Sequence, residues 1–238
     1  MKHSTPRFSG PAHNARSLAL EVLLEGRRRE AFIQEILDHH LSKAPLSPPD
    51  RRLCTQLAYG VLRRRSTLDA LLRPLVSRPP HQVEPWLWEA LRLGAFQLAL
   101  LTHIPPHAAL HETVELAAAY RRPGAKGFLN GILRSLAKRL TEDWVETPAG
   151  DALPVEHGRY RRLTEALLPD PAMLPVEYLA KGFALPPWLV ERWQGRFPWE
   201  ECLRLGFWFA GPAPLWLRCN PLRISRAAFL EALAQAGI

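Results

Sequence analysis

Between Leu101 and Ala117 stand three histidines four apart, His103, His107 and His111, followed by Glu112 and Glu115. Imidazoles at i and i+4 on a helix share one face, and with a carboxylate beside them they are the donor set of zinc-dependent hydrolases. His107, His111 and Glu115 form such a stripe. The segment HETVE at 111–115 departs from the HExxH pattern only by a glutamate for the second histidine. Three features of the same stretch oppose a metal. Pro105 and Pro106 turn the backbone between His103 and the other two. His107 falls in the first turn of its helix, where polar residues serve the helix end. The surrounding alanines suit close helix packing. The sequence therefore predicts a helix boundary with a half-exposed face here, and no metal ligands.

Basic residues offer a second chemistry. Lys126, Asn130, Arg134 and Lys138 step by four along one side of a predicted helix over 125–140, while Leu129, Ile132, Leu133, Leu136 and Leu140 take the other side. Arg52, Gln56, Tyr59 and Arg63 recur at i, i+4, i+7 and i+11 on a helix that starts at Pro48. Guanidinium forks match phosphate oxygens, an amide can meet a base edge, and a phenol ring can stack on a base or ribose. An ordinary solvated helix face carries the same spacing, so both readings stay open on pattern alone.

Other motifs are wanting. No GxGxxG, GxxxxGK[ST] or GxSxG occurs, and no nucleophile–base pair stands out. Cys54, Cys202 and Cys219 lie far apart, without a CxxC or Pro-Cys context. This points away from a zinc knuckle, a disulfide framework or an activated thiol, and fits a reducing, cytoplasmic setting. Gly60, Gly94, Gly127 and Gly131 fall inside helical patterns, where each costs about 1 kcal/mol against alanine. Close helix crossings are the expected reason.

The elements that must position these residues follow from periodicity. The chain has 238 residues, 47% of them apolar, enough for one large domain or two small ones. Its net charge of +8 is uneven: residues 1–140 carry 21 Lys and Arg against 11 Asp and Glu, and residues 141–238 carry 10 against 12. The asymmetry suits a first part that meets a polyanion, or a basic surface kept for solubility. The first residues lack an apolar signal-peptide core, and no apolar run is long enough to span a membrane.

Seven short-looped helices and no convincing strand are expected up to residue 140. They run from Asn14, from Ala31, from Pro48 with a break near Arg65–Ser66, over 84–102, over 107–121 and over 125–140. Seven prolines between Thr141 and Pro187 predict a partly ordered linker in which only YRRLTEALL looks helical. Beyond it, PPWLVERWQGRF and PWEECLRLGFWFAG read as two tryptophan-rich helices. PLWLRCNP reads as a strand, and Ser225 caps a last helix. The expected architecture is an all-α helical bundle over 13–141 after a flexible arm at 1–12. A proline-rich linker at 142–183 and a small, incomplete α/β subdomain at 184–238 complete it.

Four separated blocks, ARSLALEVLLEG, PPDRRLCTQLAYGVLRR, LRLGAFQLALLTHIPPHAALHETVELA and AKGFLNGILRSL, resemble the NusB-like domain, in the version that fronts the bacterial ribosomal RNA small-subunit methyltransferase B family of cytosine-C5 methyltransferases. The resemblance covers about residues 13–140. It continues more weakly through PPWLVERW and LWLRCNPLRISRAAFLEALAQAGI, which look like the small subdomain leading into the methyltransferase domain. NGILR stands where the family often has NAVLR, and FALPPWLVERW lacks the usual Ser or His before its proline. In the histidine stretch, the resemblance makes THIPPHAALHETVELA a helix–turn–helix junction.

The resemblance implies a helical RNA-binding module in tandem with an S-adenosylmethionine-dependent catalytic domain. The family's catalytic cysteine, Pro-Cys motif and glycine-rich cofactor loop find no match here, so no catalytic or cofactor-binding residue is expected in this chain. The implied partner is ribosomal RNA, held for a catalytic domain outside the chain, by a monomer without membrane association. Stripes and resemblance together make Arg16, Arg52, Arg63, Arg64, Lys126, Asn130, Arg134 and Lys138 the expected RNA contacts. Two other readings compete: a stand-alone transcription antitermination factor, and a protein-interaction module built on Trp188, Trp193, Trp199, Trp208 and Trp216.

Overall fold

The computed structural model describes residues 14–29, 31–214 and 216–237. The expected arm at 1–12 lies outside them. Seven helices come first: α1 (Ala15–Arg29), α2 (Ile33–Lys43), α3 (Pro48–Arg63), α4 (Arg65–Leu72), α5 (Pro85–Leu100), α6 (Pro106–Ala119) and α7 (Lys126–Ala137). Their starts are encoded locally. The Asn14 side chain accepts from the backbone N–H of Arg16 and Ser17. The Ser47 hydroxyl accepts from the N–H of Asp50, with Pro48 and Pro49 filling the first turn. The break between α3 and α4 falls at Arg64, one residue before the expected place.

Helix α5 is the centre. Thirteen of its sixteen residues are buried, so it keeps no solvent face, and α1, α3, α4, α6 and α7 all pack on it. Two of those buried residues are charged. The Arg92 guanidinium donates to both carboxylate oxygens of Asp69 on α4, at 2.8 and 2.7 Å, and to Glu89 Oε1 at 2.6 Å. Glu89 also accepts from Arg65 at 2.9 Å, and the Trp88 indole N–H donates to Asp69 at 3.0 Å. The carboxylates thus carry the interior charge of α5 and fasten α4 to it.

Close crossing accounts for two of the four helical glycines. A Cβ on Gly94 would sit 2.6 Å from Leu133 Cδ1 of α7, and one on Gly60 would sit 2.0 Å from Phe96 Cζ of α5. Gly127 and Gly131 face open space, and the crossing expectation does not hold for them.

The proline-rich stretch, expected to be a partly ordered linker, carries regular structure. It forms β1 (Leu140–Val145), β2 (Ala152–Glu156) and β3 (Arg159–Leu163), an antiparallel sheet in the order β1-β3-β2. Tyr160 to Leu163, expected to be helical, is strand. Pairing of Tyr160 with Val145 and Pro154, on either side, overrides the helix-favouring composition. Pro154 is tolerated because β2 is an edge strand. His157 and Gly158 make a two-residue turn, with Gly158 at φ 71°. Arg161 is buried at the middle of the sheet. Its guanidinium donates to the carbonyls of Thr141 and Leu98, at 2.7 and 2.8 Å, which ties β3 to the end of α5.

Helices α8 (Pro175–Gly182), α9 (Pro187–Gln194), α10 (Trp199–Ala210) and α11 (Arg226–Gln235) follow. Ser225 caps α11 as expected. The Thr67 hydroxyl of α4 donates to the Gly182 carbonyl at 3.1 Å, and Phe207 of α10 meets Tyr160 and Phe183 edge-on, joining these helices to the sheet and bundle. The expected strand in PLWLRCNP is not formed: residues 216–220 pair with no strand among the described residues. A lone extended segment leaves its backbone groups to water. Among the described residues no helix is long and apolar enough to cross a membrane.

Two alanine substitutions separate the glycine roles. Gly131→Ala is expected to raise unfolding free energy by about 0.5–1 kcal/mol, since it fills open space in a helix. Gly94→Ala is expected to lower it by about 1–3 kcal/mol through overpacking against Leu133. Urea denaturation of both variants checks the signs.

Candidate nucleic-acid interface

The stripe of Arg52, Gln56, Tyr59 and Arg63 on α3 lines a cleft of about 850 Å³. Arg51, Thr55 and Arg64 share that wall. The floor is apolar, from Phe96 and Leu100 of α5 and Val155 of β2, and the far wall is the segment 210–213 that leaves α10. Gly60 gives the floor its depth, because the Phe96 ring lies where a side chain would be. Arg52 and Gln56 are exposed, while Tyr59 and Arg63 are half-buried.

Arg64 is the exception among the expected contacts. It is only 5% exposed, so it is withdrawn from the open surface. The reason is its position at the break between α3 and α4, where the chain turns inward. The guanidinium donates to the Pro154 carbonyl of β2, and its Nε has no acceptor. Burial pushes its pKa down to about 10, and no carboxylate opposes that effect. Arg16 is half-buried: its Nε donates to Gln97 Oε1 at 2.7 Å, and the Gln97 amide nitrogen donates to the Thr113 hydroxyl at 3.3 Å. Burial lowers the Arg16 pKa, against the attraction of Glu112 and Asp50.

The second stripe meets the histidines. Asn130 and Arg134 of α7 and Lys138 just beyond its end line one side of a groove of about 560 Å³, and His107, His111 and Glu115 of α6 line the other. Arg134 Nε donates to Asn130 Oδ1 at 3.0 Å. Lys126 differs from its stripe-mates, since its ammonium donates to both oxygens of Glu115 at 2.8 Å. Pro105 and Pro106 stop α5 and start α6 as the sequence predicts, with His103 in the exposed turn between them. Among the described residues no three His, Cys, Asp or Glu side chains lie close enough to share one metal ion.

The arginines fall into two sets. Arg92, Arg65 and Arg162 face carboxylates, at 2.6, 2.9 and 2.6 Å. Arg51, Arg52, Arg63 and Arg64 form no ion pair among the described residues, although all four line one cleft. Sequence reasoning missed Arg51, Thr55 and Phe96. Arg51 and Thr55 lie one position off the chosen stripe, within the arc a helix presents to a concave surface, whereas Phe96 comes from a distant helix and left no local signal.

Cys54 is buried and its thiol pKa is pushed up to about 12, which leaves it unreactive. Trp188, Trp208 and Trp216 are exposed, whereas Trp193 is buried beside Phe209. The expected tryptophan surface is therefore split. In the described residues the strands are antiparallel and none runs through a glycine-rich loop into a helix, so they do not fit S-adenosylmethionine.

Comparison with known proteins gives a consistent set. The model described as "NusB family" matches residues 13–138, and the model described as "Methyltr_RsmF/B-like, ferredoxin-like domain" matches residues 185–238. A relative from Synechocystis sp., named "Probable ribosomal RNA small subunit methyltransferase B", is 34% identical over 227 residues, 94% of this chain and 45% of its own length. A Bacillus subtilis relative of the same name is 30% identical over 225 residues, 94% of this chain and 44% of its own. The chain thus spans somewhat under half the length of these relatives. A solved chain from "Crystal Structure of Antitermination Factors NusB and NusE in complex with dsRNA" has a TM-score of 0.48 at 22% identity, covering 52% of this chain and 93% of that one.

The two sets of arginines differ in what their loss should do. Arg92→Met leaves Asp69 with the Trp88 indole and, among the described residues, no paired cation, leaves the buried Glu89 with Arg65 and Arg27 only, and is expected to cost about 3 kcal/mol of unfolding free energy. Arg64→Met removes an uncompensated buried cation and one hydrogen bond, and the stability change is expected to stay within about 1 kcal/mol. Denaturant midpoints of the two variants measure the contrast.

Proposed function

The chain belongs to the NusB family, and from that premise we propose that it is the RNA-holding part of a longer ribosomal RNA cytosine-C5 methyltransferase. In this reading ribosomal RNA lies on the α3 cleft and the α6–α7 groove, and methyl transfer from S-adenosylmethionine is carried by other parts of the longer protein. The names of the relatives support the substrate class, and their greater length supports the division of labour. The observation that carries the proposal is the gathering of cations that form no ion pair among the described residues. Arg52 and Arg63 share one concavity, and Arg134 and Lys138 share another. Such sites attract phosphates without first having to release a protein carboxylate. Lys126 and Arg16 play a lesser part, because each already has a protein partner.

Binding of a single-stranded ribosomal RNA fragment, followed by fluorescence anisotropy, tests this. Affinity is expected to fall with salt by about 0.7 log units per log unit for each phosphate neutralised. The combined variant Arg52→Gln, Arg63→Gln, Arg134→Gln, Lys138→Gln is expected to shallow that slope by about 2–3 while keeping its fold. A salt-independent affinity, or a variant that binds as the parent does, overturns the proposal.

A further inference from the structure

The α3 cleft has a chemistry more specific than a basic surface. A guanidinium taken out of water normally keeps an anion beside it, as Arg92 does with Asp69 and Glu89. Arg64 is buried with no such anion, and its Nε is left without an acceptor. Its neighbours in the cleft, Arg51, Arg52 and Arg63, form no ion pair among the described residues either. Arg51 donates to the Leu41 carbonyl, a neutral acceptor. Four cations converging with no carboxylate paired to them among the described residues suit a negatively charged ligand.

Shape and lining narrow the occupant further. The cleft, at about 850 Å³, has the size of a small-molecule site rather than of a flat landing face. Its floor is apolar, from Phe96, Leu100 and Val155, and Tyr59 and Gln56 stand on the wall among the arginines. Phosphate alone would leave that apolar floor unused. A base supplies a flat apolar face for Tyr59 to stack on and polar edges for the Gln56 amide. A duplex keeps its bases stacked inside and cannot fill a concavity of this kind. An unstacked nucleotide can.

We infer that the α3 cleft is a receptor for one unstacked nucleotide of single-stranded RNA, with its phosphate on the arginine wall and its base over the apolar floor beside Tyr59. The inference rests on the RNA-binding reading and adds to it a defined subsite.

The test uses the whole chain and two titrations. The first measures binding of a single-stranded ribosomal RNA fragment by anisotropy. The second follows intrinsic fluorescence and heat on adding 5′-CMP, 5′-UMP, 5′-AMP or 5′-GMP, with cytidine, inorganic phosphate and a glutamate-rich peptide as separate arms. At least one monophosphate is expected to bind about tenfold more tightly than either cytidine or phosphate, and to displace the RNA. Arg64→Met and Gln56→Trp are each expected to weaken that binding about tenfold. Gln56 is exposed, so a bulky side chain there obstructs the mouth without entering the core. RNA binding with no monophosphate binding, and with both variants binding RNA as the parent does, overturns the subsite and leaves the RNA reading standing. Phosphate binding as tightly as every monophosphate overturns the nucleotide in favour of a simple anion site. Displacement of RNA by the acidic peptide as readily as by monophosphate overturns it in favour of a protein partner. A flat RNA titration overturns the RNA reading itself, and the assignment to RNA with it.

Discussion

A helix without a solvent face sets the terms for the rest of this structure. Helix α5 is enclosed by five others, and a chain segment that carries Glu89 and Arg92 can be enclosed only if those charges are answered inside. Asp69 on α4 and Arg65 at its start supply the answer. The position of α4 is therefore fixed by electrostatics as well as by leucines, and with it the sharp turn from α3 into α4. That turn brings Arg64 inward and leaves Arg52, Arg63 and Tyr59 along the rim of a cleft. The chemistry at the surface follows from the neutrality required at the centre.

The same residue type serves opposite ends in this fold. Arg92 and Arg161 are structural because protein oxygens from neighbouring elements hold their guanidinium groups. Among the described residues Arg52 and Arg63 form no ion pair, and Arg64 meets one carbonyl. Counting basic residues along the chain cannot distinguish these cases. The placement of carboxylates and carbonyls across elements does so, which is why net charge marks the part of the chain that is basic but not the arginines that are available.

Much of the fold was legible in the residues. Seven helices with their caps and breaks follow from periodicity, from Asn14 and Ser47, and from Pro105 and Pro106, because helices are written in local signals. The two lining stripes, at 52–63 and 130–138, were legible for the same reason. The sheet was not. Its strands are five or six residues long, β2 contains a proline, and β3 contains three arginines, one of which is buried only because carbonyls of Thr141 and Leu98 receive it. The signal that could have revealed it is the His157-Gly158 dipeptide between short runs, a two-residue hairpin turn. The burial of Arg64 was not legible, because its surroundings come from Pro154, ninety positions away.

The cleft itself is a composite of remote parts. One wall belongs to α3, the floor to α5 and β2, and the facing wall to the segment after α10, so its outline spans residues 41 to 213. A severed bundle ending before β1 would still display every arginine of α3, yet it would hold no enclosed hollow, and Arg64 would lose its carbonyl from β2. The hollow is thereby a late product of folding: its outline closes only once the segment after α10 has docked, long after the helices that carry its arginines have left the ribosome.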